Sequence, residues 1–400
     1  MSQRKVLIYV PFMDQTWGGV RQYTTTLLRL LTKQNEFAVI VYHNSNDEEI
    51  IKVLSECPEI KRVSDIDVNI SSWKKMKISL RNILISLGEK ISGQSIARVK
   101  VDLLQSIIDS HGISIMHCPY QYLPSFRNAK GITTFHDVQE LYFPEFFSSK
   151  ERAYRASSYP KFLKQTSAVF ASYKHVKKDI LQFFEQPDEK VYVALLQMDN
   201  HWVNHMNESN IQDLSNYQLP SSFLLYPANT WKHKNHEFLI RGIADLNKAG
   251  KAISVVLTGN NKNEEGDRLK KLSSELGVSH LIHFLGIVDE NLLYTLYKTC
   301  TAVVVPTLYE AGSFPLMEAI LLEIPVICST TTSLPETIGD SQFTFDPKNS
   351  SELQARLNSI FFDLEYRNAS KLNASSRRKS IVETGALDTF LTCYRNISKQ

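Results

Sequence analysis

The chain has 400 residues, more than one hydrophobic core usually organises, so two domains are expected. Its hydrophobic fraction of 43% and charged fraction of 22% are ordinary for a soluble globular protein. A net charge of only +3 gives no overall field that would attract nucleic acid, and no zinc-finger spacing occurs. Nucleic acid is therefore excluded as an expected partner.

Cellular location is indicated by three features of the sequence. The five cysteines are scattered and odd in number, which favours a reducing compartment over a disulfide framework. The apolar run at residues 6–10 is too short for the core of a signal peptide. No apolar stretch approaches the roughly 20 residues needed to cross a bilayer. We therefore expect a cytoplasmic protein.

Short apolar runs alternate with helical periodicity along the chain, which predicts α/β domains with parallel, doubly wound sheets. Helical patterns cover, for example, residues 20–32 and 101–111. The strand-like runs are 6–10, 37–42, 114–118, 131–135, 168–172 and 190–195, then 223–226, 254–258, 282–285, 302–305 and 326–329.

The polar, weakly periodic stretch around residues 201–220 connects the two series of strands. We predict a first domain over 1–205, a linker over 206–220, a second domain over 221–375 and a helical tail over 376–400. The tail is expected to pack back on the first domain.

Residues 73–100 mix apolar and basic side chains at helical spacing. One interpretation is a helix that touches the inner membrane surface or a lipid-linked acceptor. The other is an amphipathic helix packed on the sheet with solvated lysines. The sequence leaves both open.

Ligands of open α/β sheets bind at the carboxyl ends of the strands, so residues directly after predicted strands are the candidates. Gly18 and Gly19 follow the first strand and precede a helix, where backbone N–H groups and the helix dipole favour an anion. The pair is not the dinucleotide-binding glycine pattern, which counts against a nicotinamide enzyme. His136 follows the strand 131–135 and is placed to touch a ligand, although a lone histidine is often structural.

The turn after the strand 223–226 concentrates basic residues in the second domain. Lys232, Lys234 and the helix that follows could cradle a diphosphate, and the alternative is a solvated basic turn. At residues 286–289, Asp289 is expected to cap a helix, so a ligand there would meet backbone groups.

Two glutamates flank a glycine turn after the strand 302–305. Glu310 precedes the turn, and Glu318 lies one turn into the helix that Pro315 begins. Both carboxylates should converge on one strand-end crevice, with the N–H groups of residues 312–314 between them. Carboxylates accept hydrogen bonds from vicinal hydroxyls, which predicts a sugar or ribose ligand, although glutamates near a helix start are also common for dipole reasons.

Together these segments resemble the family 4 retaining glycosyltransferases (glycosyl transferases group 1), whose hallmark is two glutamates separated by seven residues. The resemblance covers nearly the whole chain in the expected order. The segments 136–147 and 226–236 look like a subgroup that often includes mannosyl- and rhamnosyl-type enzymes. The resemblance implies two facing Rossmann-like domains of the GT-B type, with the active site in the interdomain cleft.

The resemblance also implies roles for individual residues. As the catalytic residues, His136 would contact the transferred sugar and Glu310 would hold its hydroxyls. Lys234 would neutralise the diphosphate leaving group, and Glu318 would bind the ribose. Backbone groups of residues 287–288 would touch the base. The remaining donor-binding residues would be Gly18, Gly19, Asn229, Lys232, Ile287, Val288, Ser313, Phe314, Pro315 and Leu316.

Two positions depart from the family pattern. Six residues before Lys234, where an arginine is common, the chain has Ala228, so either Lys232 or His233 compensates or the diphosphate is held differently. The loop 311–314 also departs from the commoner Gly-Phe-Gly.

The implied activity is transfer of a hexose, with retention, from a nucleotide-diphosphate sugar such as GDP-mannose to a glycan, lipid-linked or protein acceptor in cell-surface polysaccharide synthesis. The leaving phosphate can take the acceptor proton, so no covalent glutamate nucleophile is needed. No cofactor is expected and no metal is strictly required, because Lys234 supplies positive charge. The alternatives are a nucleotide-sugar epimerase on the same fold and a non-catalytic nucleotide-sugar-binding subunit.

Overall fold

The computed structural model describes residues 3–12, 18–64, 103–198 and 202–399. Over these residues the chain forms two parallel sheets, each with helices around it. The predicted fold class, α/β with two Rossmann-like domains, is confirmed. The segment 73–100 lies outside the described residues, so both interpretations of it stay predictions. Within the described ranges no helix is long and apolar enough to span a bilayer.

The first sheet has seven strands in the order β3-β2-β1-β4-β5-β6-β7, and every neighbouring pair is parallel. Its strands are β1 (Lys5–Val10), β2 (Ala38–His43), β3 (Lys61–Ser64), β4 (Ile115–Cys118), β5 (Lys130–Phe135), β6 (Ala168–Ala171) and β7 (Val191–Val193). The described helices of this domain are α1 (Gly18–Leu31), α2 (Glu48–Ser55), α3 (Leu103–His111), α4 (Gln139–Tyr142), α5 (Ser149–Gln165) and α6 (Lys174–Phe184).

The second sheet has six strands in the order β10-β9-β8-β11-β12-β13, also parallel throughout. Its strands are β8 (Leu224–Pro227), β9 (Val255–Thr258), β10 (Ile282–Gly286), β11 (Ala302–Val305), β12 (Val326–Ser329) and β13 (Thr344–Phe345). The helices that follow are α7 (His236–Lys248), α8 (Glu264–Glu275), α9 (Glu290–Thr299), α10 (Phe314–Leu321), α11 (Leu334–Ile338), α12 (Ser350–Phe362), α13 (Leu364–Val382) and α14 (Ala386–Ile397).

The strand order reverses once in each sheet, between β1 and β4 in the first and between β8 and β11 in the second. Connections on the two sides of such a point run to opposite faces of the sheet, which leaves a crevice at the carboxyl ends of the strands. The segments that follow these four strands are therefore the ones that the topology brings to a ligand.

The C-terminal part of the chain returns to the first domain. Helix α13 continues to Val382, past the predicted boundary at 375, because residues such as Ala374 and Ile381 are still buried in the second-domain core. The chain then crosses over, and Phe390 and Tyr394 of α14 are buried in the first-domain core. The Phe390 ring lies 4.5 Å from that of Phe170 on β6.

Candidate functional site

A cavity of about 800 Å³ lies between the two domains. Its first-domain wall includes Gly19 at the start of α1 and His136 directly after β5. Its second-domain wall is formed by Trp231, after β8, and by residues around the start of α10, after β11. The cavity therefore lies at the strand ends where the order of each sheet reverses, as expected for a ligand site in this topology.

His136 is held in a defined tautomer. Its Nε2 lies 3.0 Å from the Pro119 carbonyl oxygen and its Nδ1 lies 3.4 Å from the Ser172 hydroxyl. A carbonyl only accepts hydrogen bonds, so Nε2 carries the proton and Nδ1 is an acceptor. Burial lowers the pKa of His136 below its ordinary value, which Asp137 opposes. The imidazole is therefore neutral at neutral pH, and it lines the cavity with both ring nitrogens bonded to the protein.

Lys234 and Glu310 meet beside the strand-order reversal of the second sheet. Lys234 ends a 3-10 turn after β8, Glu310 follows β11, and the Lys234 ammonium lies 2.6 and 2.7 Å from the two carboxylate oxygens. The Glu310 carbonyl accepts hydrogen bonds from the Thr332 and Ser333 hydroxyls, at 2.7 and 3.1 Å. Asn235, in the left-handed conformation at φ 60°, donates to the Pro306 carbonyl at 3.0 Å and ties the two loops together.

The ion pair lies behind the cavity wall rather than in it. The Lys234 and Glu310 side chains are 13% and 9% exposed, and neither residue lines the cavity, although Ala311 and Gly312 do. Each of the two charges compensates the other. A diphosphate at Lys234 would therefore have to share that cation with Glu310 or displace it.

Glu318 is also enclosed. It is 7% exposed, its Oε1 accepts a hydrogen bond from the Trp202 indole at 3.0 Å, and its Oε2 accepts one from the Tyr297 hydroxyl at 2.7 Å. Burial raises the pKa of the Glu318 carboxyl, and the two hydrogen bonds oppose that rise. A ribose would share this carboxylate with Trp202, so the ribose-binding role stays a prediction. Trp202 was not predicted as a site residue, because its one signal was a tryptophan next to the predicted linker.

The starts of α1 and α10 approach each other across the domain boundary. A Cβ atom on Gly19 would lie 3.6 Å from the Phe314 ring, and one on Gly312 would lie 3.0 Å from the Tyr173 ring. Ser313 is buried, and its hydroxyl has no hydrogen-bond partner among the described residues. Two helix N-termini, where N–H groups favour an anion, thus meet at one end of the cavity.

The other predicted donor-binding residues lie outside the cavity wall. Asn229 accepts from the Asn260 amide at 2.6 Å, which links two loops. Lys232 is exposed, and Ile287 is 79% exposed. Three more of the predicted residues also lie away from the cavity wall. Val288 is partly buried, Pro315 lies in the first turn of α10, and Leu316 is buried in the second-domain core. Gly18 begins α1, next to Gly19.

His233 cannot supply the charge that Ala228 lacks. Burial, with a contribution from the charge of Lys234, lowers the pKa of His233 to about 3, so this imidazole is neutral at neutral pH. Of the two residues considered as substitutes for the family arginine, only Lys232 carries a positive charge there.

A set of aromatic contacts between the domains was not predicted from the sequence. Tyr142 and Phe143, from the segment after His136, pack against Tyr309, which directly precedes Glu310. Phe146 packs against His233, which directly precedes Lys234. These contacts place first-domain side chains against the two loops that carry the ion pair. The sequence feature that could have indicated these contacts is the high density of aromatic residues at 142–147. The spacing of aromatic residues in a sequence does not identify the groups that their rings contact.

Residues 210–377 match the family model described as glycosyl transferases group 1. The chain is 27% identical to O-antigen chain mannosyltransferase B of Escherichia coli over 245 residues, which are 61% of this chain and 64% of that protein. It is 24% identical to an uncharacterised glycosyltransferase of Methanocaldococcus jannaschii, over 74% of this chain and 75% of that protein. The chain thus spans somewhat under two thirds of the Escherichia coli relative and three quarters of the archaeal one.

Solved structures share the fold along the whole chain. A glycosyltransferase from Rickettsia africae superposes with a TM-score of 0.70 at 18% identity, covering 100% of both chains. HepE from Anabaena, in complex with UDP and glucose, superposes with a TM-score of 0.68 at 15% identity, again covering 100% of both chains. Identities this low show the fold alone, which is the predicted GT-B type. The match to the group 1 glycosyltransferases thus covers the second domain, and the whole chain shares the fold of these solved glycosyltransferases.

Proposed function

We propose that the protein is a retaining mannosyltransferase that moves mannose from GDP-mannose to a glycan during synthesis of a cell-surface polysaccharide. The observation that carries the proposal is the meeting of Lys234 and Glu310 at the strand-order reversal of the second sheet, beside a cavity that contains His136. The choice of mannose and of polysaccharide synthesis is supported by the similarity to O-antigen chain mannosyltransferase B.

In the proposed reaction the acceptor oxygen bonds to the anomeric carbon on the face from which the diphosphate leaves. The bond between that carbon and the phosphate oxygen breaks, its electron pair stays on the diphosphate, and a phosphate oxygen takes the acceptor proton. Lys234 compensates the charge that develops on the leaving group, an interaction that strengthens in the transition state. Glu310 accepts hydrogen bonds from mannose hydroxyls, and neutral His136 contacts the sugar near the anomeric carbon.

No metal ion takes part in this proposal, since Lys234 and two helix N-termini provide the positive potential. Within the described part of the chain, no cluster of three or more metal-ligating side chains occurs. Asp65 and Asp67 form an Asp-x-Asp pair in the sequence, but they lie outside the described residues.

The donor is tested by thermal unfolding with GDP-mannose, UDP-glucose and dTDP-rhamnose. The true donor raises the midpoint with the concentration dependence of ligand linkage, and we expect this for GDP-mannose. A shift with only one of the other donors would overturn the mannose assignment but keep the enzyme class. If no donor shifts the midpoint, the nucleotide-sugar assignment fails.

The catalytic assignment is tested by donor hydrolysis and transfer in Glu310→Ala and His136→Ala. Each change should lower turnover by at least about 100-fold, the size typical of groups that stabilise a transition state. Unchanged turnover in both variants would favour a binding subunit over an enzyme that uses these residues.

A further inference from the structure

A hydrogen bond crosses the domain boundary between the loops that carry His136 and Glu310. The backbone amide of Val138, two residues after His136, donates to the Tyr309 hydroxyl at 3.3 Å. Tyr309 directly precedes Glu310. Val138 is fully buried and Tyr309 is 2% exposed, so water does not compete for this bond. The bond therefore holds the loop of His136 at a fixed position relative to the loop of Glu310.

The Tyr309 side chain is enclosed by rings of the first domain. Its ring centroid lies 5.7 Å from that of Tyr142, 6.2 Å from that of Phe143 and 6.4 Å from that of His175. Burial raises the pKa of the Tyr309 hydroxyl, so the group stays protonated at neutral pH and accepts the amide through its oxygen. Packing of this kind leaves the second-domain tyrosine little freedom to move relative to the first domain.

Within the second domain, the backbone at Tyr309 is connected to the loop that carries Lys234. The Thr307 hydroxyl lies 2.9 Å from the carbonyl oxygens of both His233 and Tyr309. His233 directly precedes Lys234, whose ammonium lies 2.6 Å from the Glu310 carboxylate. A displacement of Tyr309 would therefore reach both members of the ion pair.

We propose that Tyr309 is a positioning residue for sugar transfer, and that its hydroxyl sets the placement of the His136 ring opposite the Glu310 carboxylate. Both groups contact the donor sugar in the proposed function, on which this inference rests. Tyr309 does not line the cavity, so it acts through the loops that it joins and not through contact with a substrate. A shift between the loops would misplace the sugar at the reacting carbon and leave donor binding within the second domain largely intact.

The first experiment uses Tyr309→Phe, which removes the hydroxyl and keeps the ring. The domains remain joined by other contacts, such as the hydrogen bond from the Lys174 amide to Glu336. We expect kcat for transfer to fall about 10-fold while the KM for the donor stays within about twofold, because the lost interaction affects geometry in the transition state. The donor that passes the unfolding test should raise the unfolding midpoint of this variant as much as that of the unchanged protein.

Tyr366→Phe is the matched control. The Tyr366 hydroxyl donates to the Gln342 carbonyl at 2.6 Å, so this variant also loses a bond between a tyrosine hydroxyl and the backbone, but inside the second domain. Both variants should lose some stability, and only Tyr309→Phe should lose turnover per folded molecule. Equal kcat values in Tyr309→Phe and Tyr366→Phe would mean that the Tyr309 hydroxyl has a structural role alone, and the inference would be wrong.

A double-mutant cycle tests whether Tyr309 acts through His136. His136→Ala removes the ring that the hydroxyl is proposed to place, so adding Tyr309→Phe to it should lower the residual turnover by less than about twofold. A further loss of about 10-fold in the double variant would show that the hydroxyl acts independently of His136, and would overturn the inference.

Failure of this inference can be distinguished from failure of the proposed function. If the unchanged protein neither hydrolyses nor transfers from any nucleotide sugar, the proposed function fails and the inference falls with it. If the unchanged protein is active and the kcat of Tyr309→Phe stays within about twofold of its value, the positioning role alone is wrong.

Discussion

Lys234 and Glu310 are the two residues whose pairing has the largest consequence for both stability and chemistry. Removing one of them leaves the other as a largely buried, uncompensated charge, which typically costs about 3–5 kcal/mol. We therefore expect Lys234→Met and Glu310→Leu each to lower the free energy of unfolding by an amount of that order, measured by urea denaturation.

The double variant Lys234→Met/Glu310→Leu is the control for this pair. With both charges replaced by apolar groups of similar size, most of the lost stability should return, whereas sugar transfer should stay absent. A double variant that transfers sugar normally, or single variants as stable as the unchanged protein, would contradict the roles given to the pair.

At this scale the positions of the candidate site residues relative to the strands could be predicted from the sequence, but most of their contacts could not. His136, Lys234 and Glu310 were identifiable because each lies in the segment that follows a strand recognisable as an apolar run. The hydrogen bond from Trp202 to Glu318 was not, because Trp202 begins a short 3-10 helix whose position no periodicity encodes. The ion pair of Arg155, on the cavity wall, with Glu140 was also hidden, since the two residues are on different helices.

At the scale of elements, helix α14 is attached to the first domain through a buried histidine. His117 on β4 is fully buried, with its Nδ1 2.9 Å from the Tyr394 hydroxyl and its Nε2 3.0 Å from the Thr134 hydroxyl. Burial lowers the pKa of His117 to about 3, against about 6.5 in an unfolded chain. Below pH 6.5 this histidine is therefore protonated in the unfolded state but stays neutral in the folded state.

Stability from this histidine should be fully present above about pH 6.5 and lost as the pH falls towards 3, at about 1.4 kcal/mol per pH unit. Glutamine does not titrate, so in His117→Gln the free energy of unfolding should fall less steeply between pH 6 and pH 4 than in the unchanged protein. The difference between the two slopes should be about 1.4 kcal/mol per pH unit. Urea denaturation at pH 6, 5 and 4 measures the difference, with His205→Gln as the exposed control. Equal slopes in His117→Gln and the unchanged protein would contradict the assignment.

The strands that the sequence failed to predict share a physical cause. Central strands of a parallel sheet are covered on both faces and read as continuous apolar runs, as in β1 and β11. The edge strand β3 begins with the exposed residues Lys61 and Arg62, and β13 has only two residues. Neither β3 nor β13 contains an apolar run long enough to be predicted as a strand.

At the scale of the whole molecule, the two strand-order reversals face each other, and backbone amides of the first domain donate hydrogen bonds to side chains of the second. The Val138 amide donates to the Tyr309 hydroxyl at 3.3 Å, and the Lys174 amide donates to Glu336 at 3.1 Å. Each domain could be predicted from its own periodicity. How the two face each other could be predicted only from the resemblance to a known family, because local patterns contain no information about contacts between domains.

This arrangement predicts that transfer does not depend on a divalent metal ion. The diphosphate would contact Lys234 and the start of α10 in the second domain and the start of α1 in the first. Positive potential from both domains would therefore converge on it without an added cation. Transfer measured with excess EDTA should therefore stay within about twofold of the untreated rate, and added Mg²⁺ or Mn²⁺ should not raise it by more than that.

In Lys234→Met, where the protein's own cation is missing, added Mn²⁺ should recover part of any residual activity, which would indicate that the lysine fills the role of the metal. A loss of 10-fold or more with EDTA that Mn²⁺ restores in the unchanged protein would instead assign the leaving-group charge to a bound metal. Asp65→Asn and Asp67→Asn would then test whether that pair holds it.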